Sequence, residues 1–213
     1  MQPAFNKIII TFSALFFLSL FVSCDPLNKK KKTEDQFDIT GKKYSIIPET
    51  TSVFWTAYKT SEKIPVKGQF MKLEINNSKQ ADTAKEAIDG IAFSIPVSSL
   101  FSNEEERDSK LKEFFFGVMD QTEILSGDLH IENDTLAMAS VQMNGITNAI
   151  PLTYFLDGQM ISMQGKMNLN DWKVQTALAS LNKVCADLHK GADGKSVTWD
   201  EVGINIESYL KVE

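Results

Sequence analysis

The sequence predicts an all-β domain built as a closed or nearly closed antiparallel barrel. Three observations predict it. Apolar and polar residues alternate through many short segments, the period of a half-buried strand. Two-residue turn signals at Asn144-Gly145 and Asp157-Gly158 link successive segments in hairpin order. Long helical spacing occurs only twice in the domain, and many short strands with little helix indicate a sandwich or barrel. The 213 residues are 43% hydrophobic and 23% charged, enough for one well-buried core. The net charge of −6 is spread along the chain and argues against a nucleic-acid partner.

The first 23 residues stand apart. Lys7 precedes an apolar run from Ile8 to Val22, which has the form of a secretory signal and is short for a membrane span. The run ends at Phe21-Val22-Ser23-Cys24, which resembles the lipobox of bacterial lipoproteins. That resemblance implies acylation of Cys24 and a membrane partner. Plain cleavage would instead leave Cys24 as a free exposed thiol, a liability in an exported protein. Residues 24–42, with Lys29 to Lys32 in a row, are too poor in apolar residues to pack and form a lipidated tether. The expected organisation is therefore a signal peptide at 1–23, a tether at 24–42 and the barrel domain at 43–213. With Cys24 acylated only Cys185 remains, so no intramolecular disulfide forms.

Within the domain, Val53 to Tyr58 is β-branched and aromatic on both faces. Val66, Gly68 and Phe70 share a face, but the apolar parity then moves to Leu73 and Ile75. That slip predicts a bulge or bend near Met71-Lys72. Asn76 to Asp89 is a long turn or a short helix at its alanines. The organising stretch follows. Phe93, Ile95 and Val97 alternate as a strand, and then the period changes. Ser102 and Glu105 have the spacing of a capping box, and Leu111, Phe114 and Phe115 fall on one helical face. A strand thus delivers a short helix with an apolar underside, ended by Gly117.

The second half reads as a meander. Glu123 to Glu132 and Leu136 to Met143 are strands joined at Asn133-Asp134. Ile150 to Leu156 and Ile161 to Leu169 follow after the two tight turns. Val174, Leu178, Leu181, Cys185 and Leu188 recur at helical spacing, which predicts an amphipathic helix over Asn170 to Lys190. Gly191 to Gly194 stops it, and Val202, Ile204 and Ile206 form the closing strand.

No catalytic or metal constellation is visible. His130 lies in a strand and His189 at a helix C-terminus, where an imidazole suits the helix dipole. Ser98-Ser99 has no histidine nearby to act as base. Arg107-Asp108 is the most informative charged pair. Either it is a surface ion pair worth at most about 1 kcal/mol, or it anchors the helix to the rim or meets a ligand head group. Anchoring is preferred, because adjacent helical residues diverge and cannot both aim at one small group.

Val66-Lys67-Gly68-Gln69-Phe70, the strand from Ser94 to Leu100, Arg107-Asp108 with Leu111 and Phe114-Phe115, Gly127-Asp128-Leu129 and Asn144-Gly145-Ile146-Thr147 together resemble the YceI-like family of secreted lipid-binding proteins. The resemblance implies an antiparallel eight-stranded, lipocalin-like barrel, with a short helix after the fourth strand and a longer helix before the last. It implies a non-enzymatic protein of the cell envelope with no cofactor, whose long apolar cavity takes a polyisoprenoid chain such as that of an isoprenoid quinone. Trp55, Phe70, Phe93, Ile95, Val97, Phe114, Phe115 and Met163 are the residues expected to line that cavity, with Arg107 and Asp108 at its rim. The same side chains could instead fill a solid core, since eight strands is the size at which a barrel either packs or holds one ligand. A filled barrel would be an envelope interaction module. A quinone-dependent redox enzyme is a third reading, without acid–base residues to support it.

Overall fold

In this computed structural model the structure describes residues 41–213. The expected signal peptide, Cys24 and nearly all of the tether lie outside the described residues.

The domain is a curled antiparallel sheet with three short helices. In chain order the elements are β1 (Tyr44–Ile46), β2 (Ser52–Lys59), β3 (Ile64–Phe70), β4 (Glu74–Ile75), α1 (Ala84–Ile88), β5 (Ile91–Pro96) and β6 (Leu100–Phe101). Next come α2 (Glu105–Phe114), β7 (Ile124–Ile131), β8 (Leu136–Met143), β9 (Ile146–Asp157), β10 (Met160–Asn168), α3 (Gln175–Val184) and β11 (Glu201–Val212). The sheet runs β4-β5-β7-β8-β9-β10-β11-β2-β3-β6, with β1 added beside β11.

Its curl follows from two bends. The parity slip at Met71-Lys72 is one of them, separating β3 from β4. The other is a single 3-10 turn at Val97–Ser99, separating β5 from β6. The two bent runs face each other: Phe70 pairs with Leu100, Glu74 pairs with Ser94, and the Met71 N–H donates to Ser99 O at 2.9 Å between them. Both ends of the sheet therefore come from the same pair of segments, and the sheet comes back on itself.

The strand count is eleven among the described residues, not eight. Each bend divides one expected strand into two, and β1 adds one more. The helices also differ from expectation. α1 forms at the alanines before β5, with Thr83 and Glu86 making a capping box. α2 follows the sixth strand rather than the fourth. α3 has 10 residues, no longer than the 10 of α2. The expected helix from Asn170 is shortened because Leu169–Trp172 is a 3-10 turn and Lys173 takes a left-handed φ of 54°. Trp172 holds that turn down, buried with its Nε1–H donating to Val141 O at 2.9 Å.

The Asn144-Gly145 turn forms as its residues require, with φ of 52° and 68°. In the next hairpin Asp157 pairs with Met160, so the central pair is Gly158-Gln159 rather than Asp157-Gly158. Gly158 alone has positive φ there, at 58°.

Candidate functional site

The inward faces of the strands do not meet. They enclose a cavity of about 220 Å³. Trp55 and Val53 of β2, Phe70 of β3, Phe93 and Ile95 of β5 and Met163 and Met167 of β10 are on its wall. Each helix or its flank covers part of it: α1 supplies Ile88, α2 supplies Leu111, and α3 supplies Leu178 and Leu181. α3 joins the end of β10 to the start of β11, and α1 leads into the start of β5, so these two helices sit at opposite ends of the cavity. The helix before the last strand thus covers an end of the barrel.

The wall carries no charged side chain. Its hydroxyls are already matched. Thr51 and Ser208 share a hydrogen bond of 2.7 Å, and Thr198 donates to Asn182 Oδ1 at 2.9 Å while lying 2.7 Å from His189 Nδ1. Trp55 Nε1 is the wall donor left buried without a partner among the described residues, at a cost of about 1–3 kcal/mol. A site of this kind can desolvate a hydrocarbon chain but offers no group for covalent or acid–base chemistry.

Six of the eight expected wall residues are there: Trp55, Phe70, Phe93, Ile95, Phe115 and Met163. Val97 and Phe114 are not. Val97 is buried, but it opens the 3-10 turn, which takes it out of the alternation of Phe93 and Ile95. Phe114 is the last residue of α2. Phe115 then takes φ −111° and ψ −67°, and the chain tightens into a 3-10 turn over Phe116–Val118. That change of pitch brings Phe115 and Phe116 to the wall, edge-on with ring centroids 4.9 Å apart, and leaves Phe114 partly exposed. Phe116, half of this pair, was missed because the helical period was carried one residue too far.

The capping box expected at Ser102 does not form either. Asn103 has a left-handed φ of 62°, which turns Ser102 away from the helix. The buried Asp108 carboxylate instead accepts from the Ser102 N–H at 2.9 Å and from its hydroxyl. Arg107 meets the other side of the same residue, donating to Ser102 O at 2.7 Å and Oγ at 2.8 Å. Adjacent helical residues do converge on one group here, contrary to the expectation, because Arg107 is long enough to reach round to the carbonyl side. Neither residue is on the cavity wall.

Among the described residues no group of three or more His, Cys, Asp or Glu side chains could hold a metal ion. His130 is exposed, 2.9 Å from Asp128 Oδ2. His189 lies beyond the end of α3 at Val184, and burial, then Lys59 and Lys110, push its imidazole below the usual value. No helix of the described residues is long and apolar enough to cross a membrane.

A family model described as a YceI-like domain matches residues 44–209. The chain belongs to the YceI-like family. Among curated proteins none matches it. Solved structures do. A polyisoprenoid-binding domain from Saccharophagus degradans, implicated in plant cell wall breakdown, is similar at TM-score 0.57 and 12% identity, over 80% of this chain and 98% of that one. Burkholderia cenocepacia BcnA is similar at TM-score 0.50 and 13% identity, over 78% of this chain and 99% of that one. At these identities the likeness is one of fold.

Two glycines of the YceI-like segments named above explain themselves in this wall. Gly68 is opposite Trp55 in the β2–β3 register, and Gly127 is opposite Phe93 in the β5–β7 register. A Cβ on Gly68 would fall 2.1 Å from Trp55 Cζ2, so the indole lies directly on the glycine. Both glycines are seats for wall aromatics.

Proposed function

We propose that this protein binds and carries an isoprenoid-type lipid, held in the cell envelope by an acyl anchor on Cys24. The observation that supports lipid binding is the hollow, uncharged cavity. An unfilled volume of about 220 Å³, at roughly 24 cal/mol per Å³, amounts to about 5 kcal/mol of lost packing. That is as large as the whole net stability of many domains. A barrel meant to be solid would remove it with one or two larger side chains. Smaller apolar cavities, of about 150 Å³, stay dry and take up apolar guests. The polyisoprenoid binding named for the Saccharophagus domain supports this ligand class, and the flexible Met163 and Met167 suit a chain with varied bends.

Trp55 and Trp199 both line the cavity, so a bound quinone ring or polyene would quench them. Titration with menaquinone-4 should give saturable quenching at one ligand per protein. Linear, unsaturable quenching would count against a binding site.

The anchor has its own test. Cys24→Ser should shift the protein from the membrane to the soluble fraction or leave it unprocessed. A mutant that fractionates and migrates like the unmodified protein would refute acylation.

A further inference from the structure

The three segments that cover the cavity are attached in very different ways. α1 is tied to the sheet on both sides: the Ile131 N–H donates to Asp89 at 2.9 Å, the Gly90 N–H to Leu129 O at 2.7 Å, and Ala81 exchanges backbone bonds with Tyr44. α3 is tied through Asn182, whose side-chain oxygen accepts from Ser196 and Thr198 at 3.1 and 2.9 Å. Residues 103–119, which contain α2, are tied only to Ser102, the residue at their own start, among the described residues. Among the described residues no hydrogen bond or ion pair joins this segment to any residue beyond Ser102.

The sheet is also incomplete where this segment lies. β6 is hydrogen-bonded to β3 alone, and β7 begins at Ile124 opposite Pro96. β6 and β7 are joined by residues 102–123 and do not pair with each other. The segment fills that place with Leu111, Phe115 and Phe116, the last edge-on to Phe70 with ring centroids 6.5 Å apart. Among the described residues its hydrogen bonds to the rest of the fold lie at its two ends. Asp108 and Arg107 grip Ser102 at one end, and the Asp120 N–H donates to Asn144 Oδ1 at 2.9 Å at the other.

We propose that residues 103–119 are a side door through which the ligand enters and leaves, with the Asp108–Ser102–Arg107 cluster as its latch; this rests on the lipid-binding reading. Opening the wall between paired strands breaks ladder hydrogen bonds, and displacing α1 or α3 breaks the ties just described. Swinging this segment outward breaks only the latch bonds to Ser102. It also unpacks α2 from α3 and exposes Leu111, Phe115 and Phe116, which an incoming hydrocarbon chain covers as it passes.

Stopped-flow quenching with menaquinone-4 tests the door on the full-length chain. Asp108→Ala frees the latch and should raise uptake and release rates together, by roughly 3- to 10-fold, while Kd changes by less than about twofold. Thr83→Ala, which uncaps α1, and Asn182→Ala, which unties α3, should leave both rates unchanged. Equal acceleration in those variants, or none in Asp108→Ala, overturns the proposal. Hydrogen exchange on the unmodified protein decides it if Asp108→Ala fails to fold. Amides of 105–118 should exchange through a local opening faster than those of α1 and α3, and slow when menaquinone-4 is bound. Protection equal to that of the strands overturns it. Absence of menaquinone-4 binding by the unmodified protein removes the lipid-binding reading itself, and the door with it.

Discussion

Replacing Ala139 with tryptophan should abolish lipid loading without lowering the melting temperature. Ala139 is a small residue of the wall, in register between Leu129 of β7 and Ile150 of β9, and buried. An indole there projects into space that no protein atom fills. The new ring gains contacts that the cavity lacked, which offsets the strain of placing it. In a solid core the same change is overpacking and costs about 1–3 kcal/mol. For a chain of this size that is roughly 2–12 °C in melting temperature. Bound menaquinone-4 and thermal melting, measured on one mutant, therefore separate a hollow barrel from a filled one. A drop of several degrees with lipid binding retained would mean that the wall was already packed.

The opposite outcome is expected at Gly127. A Cβ there would lie 1.8 Å from Ser140 O, a backbone atom of the neighbouring strand, and 2.9 Å from Phe93 Cζ. A flexible side chain could move aside, but the β7–β8 ladder cannot do so without losing hydrogen bonds between Ser126 and Ile131. Gly127→Ala should cost at least the upper end of the usual 1–3 kcal/mol for overpacking, or roughly 6 °C or more in melting temperature. Lipid binding should fall with it, since Phe93 is part of the wall. A melting temperature within 2 °C of the unmodified protein would show that the strands separate more easily than the register implies.

The alternation of apolar residues made most of the strands legible in the sequence, and the parity slip after Phe70 located the first bend. The second bend left no such mark. Pro96-Val97-Ser98-Ser99 keeps strand parity on paper, so Val97 read as a wall residue although the chain turns there. Helix ends were the other weak point, because they depend on backbone geometry that composition does not fix. Ser102 and Glu105 have the spacing of a cap, yet the left-handed Asn103 hands Ser102 to Asp108 instead. The same kind of change after Phe114 exchanged that residue for Phe116. Whether the barrel is hollow could not be read at all. Periodicity says which side chains point inward, and only the distance across the sheet says whether they meet.

Lipid extracted from the protein purified from its own host, and identified by mass spectrometry, tests the central claim most directly. The account predicts a single class of isoprenoid lipid at close to one molecule per chain, lost in Ala139→Trp. Protein that arrives with its cavity empty, or with a mixture of ordinary membrane phospholipids that Ala139→Trp carries equally, would contradict it.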